Sequence, residues 1–188
     1  MIRPATPEDA DEHAATFTAS FETLLTFLPN LHTHEEHRHF ITEIVPADHE
    51  VWVAEEDDRV VGFAAIGHDT LGHLYVHPDY HGRGIGSALL DKAKELRPHG
   101  FTLWTFPQNV RACRFYEWRG LRAVRYGDGS GNEEGVPDVQ YEWLPPGESD
   151  DSGPPPARWS SQRRWSPLAA ASRRPLQRVP GPRFRLRP

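Results

Sequence analysis

The segment Val76-His77-Pro78-Asp79-Tyr80-His81-Gly82-Arg83-Gly84-Ile85-Gly86-Ser87 sets three glycines at alternate positions, between a β-type run and an amphipathic one. A glycine-rich turn that opens a helix is suited to holding phosphate. The first helical N–H groups lack partners within the helix, the helix dipole is positive there, and glycine lets a ligand come close to the backbone. Arg83 adds a positive charge to the same turn. The order Gly-x-Gly-x-Gly is neither a P-loop, which ends in Gly-Lys-Ser/Thr, nor the Gly-x-Gly-x-x-Gly of a dinucleotide site. Two further sets of reactive residues carry less. His32, His34, His37 and His39 run as His-x-His-Glu-Glu-His-x-His, which does not reproduce the His-Glu-x-x-His helix of zinc proteases, and on a helix only some of the four share a face. No metal is expected there, and a solvated helix is the reading. Cys113, the single cysteine, reads as a structural thiol and excludes any internal disulfide framework.

The turn can act only if a strand leads into it and a helix leaves it. Leu71 to Val76 supplies the strand, and Ile85, Ala88, Leu89, Ala93 and Leu96 supply helical spacing until Pro98 and Gly100 end the run. Phe101 to Phe106 is strand-like again, and Asn109 to Trp118 is a helix closed by Gly120. Upstream, Ile2 to Thr6 is a short strand. Thr6-Pro7-Glu8-Asp9 starts a helix to about Leu28, and Thr33 with Glu36 forms a capping box for a second one reaching about Val45. Val51 to Glu55 and Arg59 to Ile66 form a hairpin through Glu56-Asp57-Asp58. Leu121 to Tyr126 and Val139 to Trp143 are the last strands. The loop between them holds four glycines, a proline and the pair Glu133-Glu134.

The run His81-Gly82-Arg83-Gly84-Ile85-Gly86 resembles the pyrophosphate signature (Arg/Gln)-x-x-Gly-x-(Gly/Ala) of the GCN5-related N-acetyltransferase family, with His81 in place of the usual Arg or Gln. Leu74-Tyr75-Val76-His77-Pro78 resembles that family's fourth strand. Asn109 with Phe115-Tyr116-Glu117-Trp118-Arg119-Gly120-Leu121 resembles its Asn-x-x-Ala…Phe-Tyr-Glu-x-x-Gly-Phe helix. The resemblance covers residues 2 to 144. It implies an α/β fold with a mixed, mostly antiparallel sheet splayed between the fourth and fifth strands, helices on both faces, and acetyl-CoA in the split as co-substrate. On that analogy Leu74, Tyr75 and Val76 pair with the pantetheine arm, and one of their N–H groups polarises the thioester. Residues His81, Gly82, Arg83, Gly84, Ile85, Gly86 and Ser87 wrap the pyrophosphate, and Asn109 fixes the cofactor from the following helix. Tyr116 is the acid for the departing thiolate, since a phenol stays protonated at neutral pH. Some family members carry a basic carboxylate five residues before the asparagine, where this chain has Trp104. His73 is the substitute base, and a water relay to Glu50 or Glu55 is its rival. Trp104, Glu133 and Glu134 fall on the acceptor side.

Two functions from different classes follow from the resemblance. One is an N-acetyltransferase acting on an amine of a small molecule or peptide by direct attack in a ternary complex. The other is an inactive acyl-CoA-binding sensor or interaction module of the same fold.

Charge and composition set the remaining bounds. The chain has 188 residues, 21 basic against 27 acidic, and is 37 % hydrophobic. Residues 145–188 hold nine arginines, no lysine and three acids, so 1–144 carries 12 basic against 24 acidic residues. An acidic body favours amine-bearing ligands over nucleic acid. The Pro/Arg-rich stretch 145–188 lacks apolar periodicity and is expected to be a disordered tail to a domain over 1–144. The absence of a signal-like or membrane-spanning apolar run and the lone cysteine point to the cytoplasm. Homodimers are common in families of this kind, so dimerisation is a further expectation.

Overall fold

The computed structural model describes residues 1–147. The stretch read as a disordered tail lies outside them, apart from its first three residues. Seven strands form two antiparallel sheets. In the first, the order is β1 (Ile2–Pro4), β2 (Glu50–Glu56), β3 (Arg59–Ile66), β4 (Leu71–Val76); in the second it is β5 (Phe101–Thr105), β7 (Asp138–Trp143), β6 (Arg122–Gly127). The β2–β3 hairpin turns through Asp57 and Asp58, both at positive φ (52° and 58°), the geometry a two-residue turn of the strand-matching hand requires.

Helices cover both faces. On one, α1 (Ala10–Leu24), α2 (His34–His39) and α3 (Val45–Asp48) pack Phe17, Phe40, Ile41 and Val45 onto Val53, Phe63 and Ala65. On the other, α4 (Ile85–Leu96) and α5 (Val110–Trp118) pack Leu89, Leu90, Ala93 and Tyr116 onto Ala64, Ile66, Leu103 and Tyr141. The expected capping box is present: Glu36 N–H donates to Thr33 Oγ1 at 3.2 Å and Thr33 N–H to Glu36 Oε2 at 2.8 Å. The second helix does not run unbroken to Val45. Residues Phe40–Ile44 widen into a π-turn, in which Val45 N–H donates to Phe40 O, just before Pro46. Proline has no N–H and crowds the carbonyl four residues back, and the wider turn relieves that clash.

The two sheets meet at one place. Thr70 and Thr102 form a parallel bridge, and Thr102 N–H donates to Asp69 O at 3.0 Å. Beyond that bridge β4 and β5 form no ladder among the described residues.

Candidate active site

Where β4 and β5 part, a cavity of about 500 Å³ opens. His73, Leu74, Tyr75 and Val76 line it from β4, Leu103, Trp104 and Thr105 from β5, and Asn109, Ala112 and Tyr116 from the α5 segment. Among the described residues β4 pairs only with β3, so its other edge lies toward the cleft. Tyr75 and His73 turn their rings to the α1–α2 face, where Phe17, Phe63 and Phe40 pack on them.

The glycine turn closes one end of this cleft. Gly82 and Gly84 stand at φ +80° and +84°, with nothing within 4 Å of where a Cβ would sit, and Gly84 caps α4. Only glycine takes this backbone without strain, and the first N–H groups of the twelve-residue α4 are presented to the space outside. Gly82, Gly84, Ile85, Gly86 and Ser87 all line the cavity.

Two residues of the turn behave differently from expectation. Arg83 points away from the cleft: its guanidinium lies 4.7 Å from the centre of the Tyr80 ring and 3.5 Å from Glu56. The positive potential at the turn therefore comes from the backbone and helix rather than from this side chain. His81 lines the cleft, but its Nε2 sits 2.8 Å from the carbonyl of Val76, which also accepts from Ser20 Oγ at 3.0 Å. The ring ties the turn to the end of β4, and burial lowers its pKa.

Asn109 Oδ1 accepts from Ala112 N–H at 3.1 Å, capping α5, and the residue lines the cleft. About two turns further, Tyr116 is 8 % exposed and packs on Tyr141 with ring centres 5.8 Å apart. Burial pushes its phenol above the ordinary value, so it keeps its proton at any physiological pH. Cys113, half-buried on the same helix, has its thiol raised by burial, which agrees with an inert side chain.

The expected bases fare differently. Glu50 is held by Arg97 at 2.6 Å and Glu55 by Arg3 at 2.6 Å, and neither lines the cleft, so the relay to either is overturned. His73 does line it, but it is 5 % exposed among Phe40, His49 and Tyr75, and burial drives its pKa down to about 3. The expectation of a base titrating near neutrality ignored this burial. At pH 7 His73 is a neutral imidazole with little affinity for a proton.

The residues expected on the acceptor side lie on segments far apart in sequence, and of them Trp104 lines the cavity while Glu133 and Glu134 do not. Glu133 Oε1 stands 3.0 Å from His32 Nε2, joining the β6–β7 loop to the connection between α1 and α2. Phe27, from the same connection, meets Phe106 edge-on at 5.8 Å, and Leu24 and Leu25 line the cavity. In the loop, the Asn132 side chain donates to Val136 O at 2.8 Å and Asp138 Oδ2 at 3.0 Å and accepts from Val136 N–H at 3.2 Å, fixing the turn that carries Glu133 and Glu134. Glu134 is half-buried; its Oε2 accepts no hydrogen bond among the described residues, and burial raises its pKa. Of the other histidines, His34 pairs with Glu22 at 3.0 Å, and His37 is buried rather than solvated, against Phe17 and Phe21. Among the described residues no group of His, Cys, Asp or Glu is arranged to hold a metal ion. No described helix is long and apolar enough to cross a membrane.

Arg111, Phe115 and Trp118 also line the cleft, from α5. Their helical spacing of four and three residues was visible in the sequence, but with Asn109 and Tyr116 marking the helix, nothing singled out this second face.

Residues 47–120 match the family model described as an acetyltransferase (GNAT) domain. The chain is 30 % identical over 124 residues to the peptidyl-lysine N-acetyltransferase YjaB of Salmonella typhimurium, covering 65 % of this chain and 83 % of that one. An uncharacterized N-acetyltransferase of Archaeoglobus fulgidus is 30 % identical over 150 residues, covering 70 % of this chain and 99 % of its own. Among solved structures, a GCN5-related N-acetyltransferase from Rhodopseudomonas palustris superposes with a TM-score of 0.63 at 28 % identity, covering 77 % of this chain and 94 % of the other. Sequence match, fold and the order of the three motifs agree, and the chain belongs to the GNAT family of acetyl-CoA-dependent N-acetyltransferases.

Proposed function

We propose that the chain moves the acetyl group of acetyl-CoA directly to a primary amine in a ternary complex, with a lysine side chain of a peptide as the acceptor class and Tyr116 as the acid. The observation that carries this reading is the position of Tyr116 in the same cleft as the outer edge of β4 and the glycine turn. Acetyl-CoA lying from the turn along β4 brings its thioester toward that phenol. The neutral amine bonds to the thioester carbon while backbone N–H groups of β4 stabilise the oxyanion, the phenol donates its proton to sulfur as the carbon–sulfur bond breaks, and the proton lost by the amine nitrogen passes through water to restore the phenol. The lysine acceptor is supported by the relationship to YjaB and by the acidic loop carrying Glu133 and Glu134, whose charge attracts a cationic amine.

Burial gives His73 too little proton affinity to drain an alkylammonium. The acceptor then reacts from its neutral fraction. Turnover at limiting acceptor is then expected to rise with pH toward the lysine pKa of about 10.4, with no fall from loss of the Tyr116 proton in that range. Thiol release measured across pH against lysine peptides, free amino acids and small polyamines tests the reading. No release with any amine would leave the inactive acyl-CoA-binding module in its place.

A further inference from the structure

Trp118 is 78 % exposed, whereas Trp52, Trp104 and Trp143 are half-buried. One exposed apolar side chain means little on its own. Trp118, however, also lines the cleft, three residues after Phe115 and seven after Arg111, so the three side chains form one stripe along α5. The stripe begins at the phosphate turn, where Phe115 Cζ lies 3.6 Å from the point a Cβ on Gly86 would occupy. Arg111 is exposed and makes no ion pair or hydrogen bond to the other described residues, and its charge helps lower the pKa of His81 in the same turn. Beyond the turn, then, the cleft wall offers a cation without a partner and a broad aromatic face open to solvent. Arg119, tied to Asp91, sets its guanidinium 5.9 Å from the centre of the Trp118 ring and so backs that ring with an anchored side chain.

A ligand whose pyrophosphate sits on the turn and whose pantetheine runs along β4 must send its remaining portion outward past this stripe. In CoA that portion is an adenine on a ribose bearing a 3′-phosphate. Guanidinium matches phosphate as a bidentate donor, and an indole face stacks on a purine whatever its hydrogen-bonding edge. We infer that Arg111 and Trp118 form the adenosine 3′-phosphate subsite of this enzyme, Trp118 stacking on the adenine and Arg111 pairing with the 3′-phosphate. The inference rests on acetyl-CoA occupying the cleft. Both residues act on cofactor affinity alone, far from the thioester, so they lower the acetyl-CoA KM and leave kcat untouched.

The test is calorimetry of the full chain and its variants with three probes: CoA, 3′-dephospho-CoA and 4′-phosphopantetheine. Arg111→Gln should weaken CoA about tenfold or more, a charged hydrogen bond's worth, while leaving 3′-dephospho-CoA unchanged. Trp118→Ala should weaken both nucleotide probes at least about fivefold and leave 4′-phosphopantetheine unchanged, with Trp118→Phe recovering part of the loss. In turnover, both variants should raise the acetyl-CoA KM at constant kcat. Equal loss on all three probes, or no loss on CoA, would overturn the subsite, and the second result would turn the exposed indole into a partner-facing residue. Arg111→Gln weakening CoA and 3′-dephospho-CoA alike would move Arg111 to the pyrophosphate and overturn its assignment. If the wild-type chain binds none of the probes, the acetyl-CoA reading itself fails, which the variants cannot mimic.

Discussion

The two ends of the cleft are made in different ways. The cofactor end is local: a strand, a turn with two left-handed glycines and the helix it opens lie within 26 residues, Leu71–Leu96, and the ligand-facing groups of the turn are backbone amides. The end proposed for the acceptor lies beside the α1–α2 connection and the β6–β7 loop, which a His32–Glu133 contact joins across 101 residues. Backbone amides at a helix start bind any phosphate that fits, so that end is constrained in sequence and uniform in chemistry. Side chains on loops can change one by one, which leaves the acceptor end free to set specificity.

If the halves are separate in function, substitutions should divide between them, and the largest effect belongs to neither half alone. Tyr116→Phe removes the proposed acid at their junction. It should lower kcat by about 10²- to 10⁴-fold with little change in acetyl-CoA affinity, checked by steady-state turnover with both substrates saturating. Acid should act next, and on the α1 side. His13, edge-on to Phe63 at 3.9 Å, has its pKa lowered by burial to about 4, and His73 to about 3. Both are neutral when folded and protonate near 6.5 when unfolded, so their contribution is intact above about pH 6.5 and is lost as pH falls toward 4. For His13 alone the loss is about 3 kcal/mol. Thermal melts should show Tm falling across that window in wild type and less steeply in His13→Leu.

A smaller effect separates the acceptor end. Glu133→Gln breaks a partly exposed contact worth at most about 1 kcal/mol, so the acceptor KM should rise about two- to fivefold with the acetyl-CoA KM unchanged. A matching rise in both would merge the halves. The smallest effect tests the turn. Arg83→Ala should leave CoA affinity within about threefold, because the guanidinium rests on Tyr80 and Glu56 and not on the ligand side.

The division also explains what the sequence disclosed. All seven strands and the helices that start at Thr33, Gly84 and Asn109 were readable, because caps, glycine stops and apolar spacing are local signals. The glycine turn was readable by the same locality, whereas Asn109 and Tyr116 came from the family resemblance; Gly82, Gly84, Ile85, Gly86, Ser87, Asn109 and Tyr116 all line the cleft. Nothing local tells which way the Arg83 side chain turns, since Glu56 reaches it from another hairpin. The same holds for the bases. The resemblance places His73 on the cofactor-facing strand, but its burial under Phe40 and its place beside His49 depend on how α2 and α3 pack. Arg97 and Arg3, which hold Glu50 and Glu55, are 47 and 52 residues away from them. Trp118 sat inside a recognised motif, yet its exposure appears only once α5 is docked.

Whether the turn between β4 and α4 holds the cofactor is decided most directly by CoA calorimetry on wild type and Gly84→Val. A valine at φ +84° is strained by about 1–2 kcal/mol and would set a branched side chain where the pyrophosphate lies, while the space around it is open to the protein's own atoms. The expected result is saturable one-to-one binding in wild type and at least a hundredfold weaker binding, roughly 2.7 kcal/mol, in a variant that still melts cooperatively. Equal CoA affinity in the two proteins would contradict the placement of the cofactor on this turn.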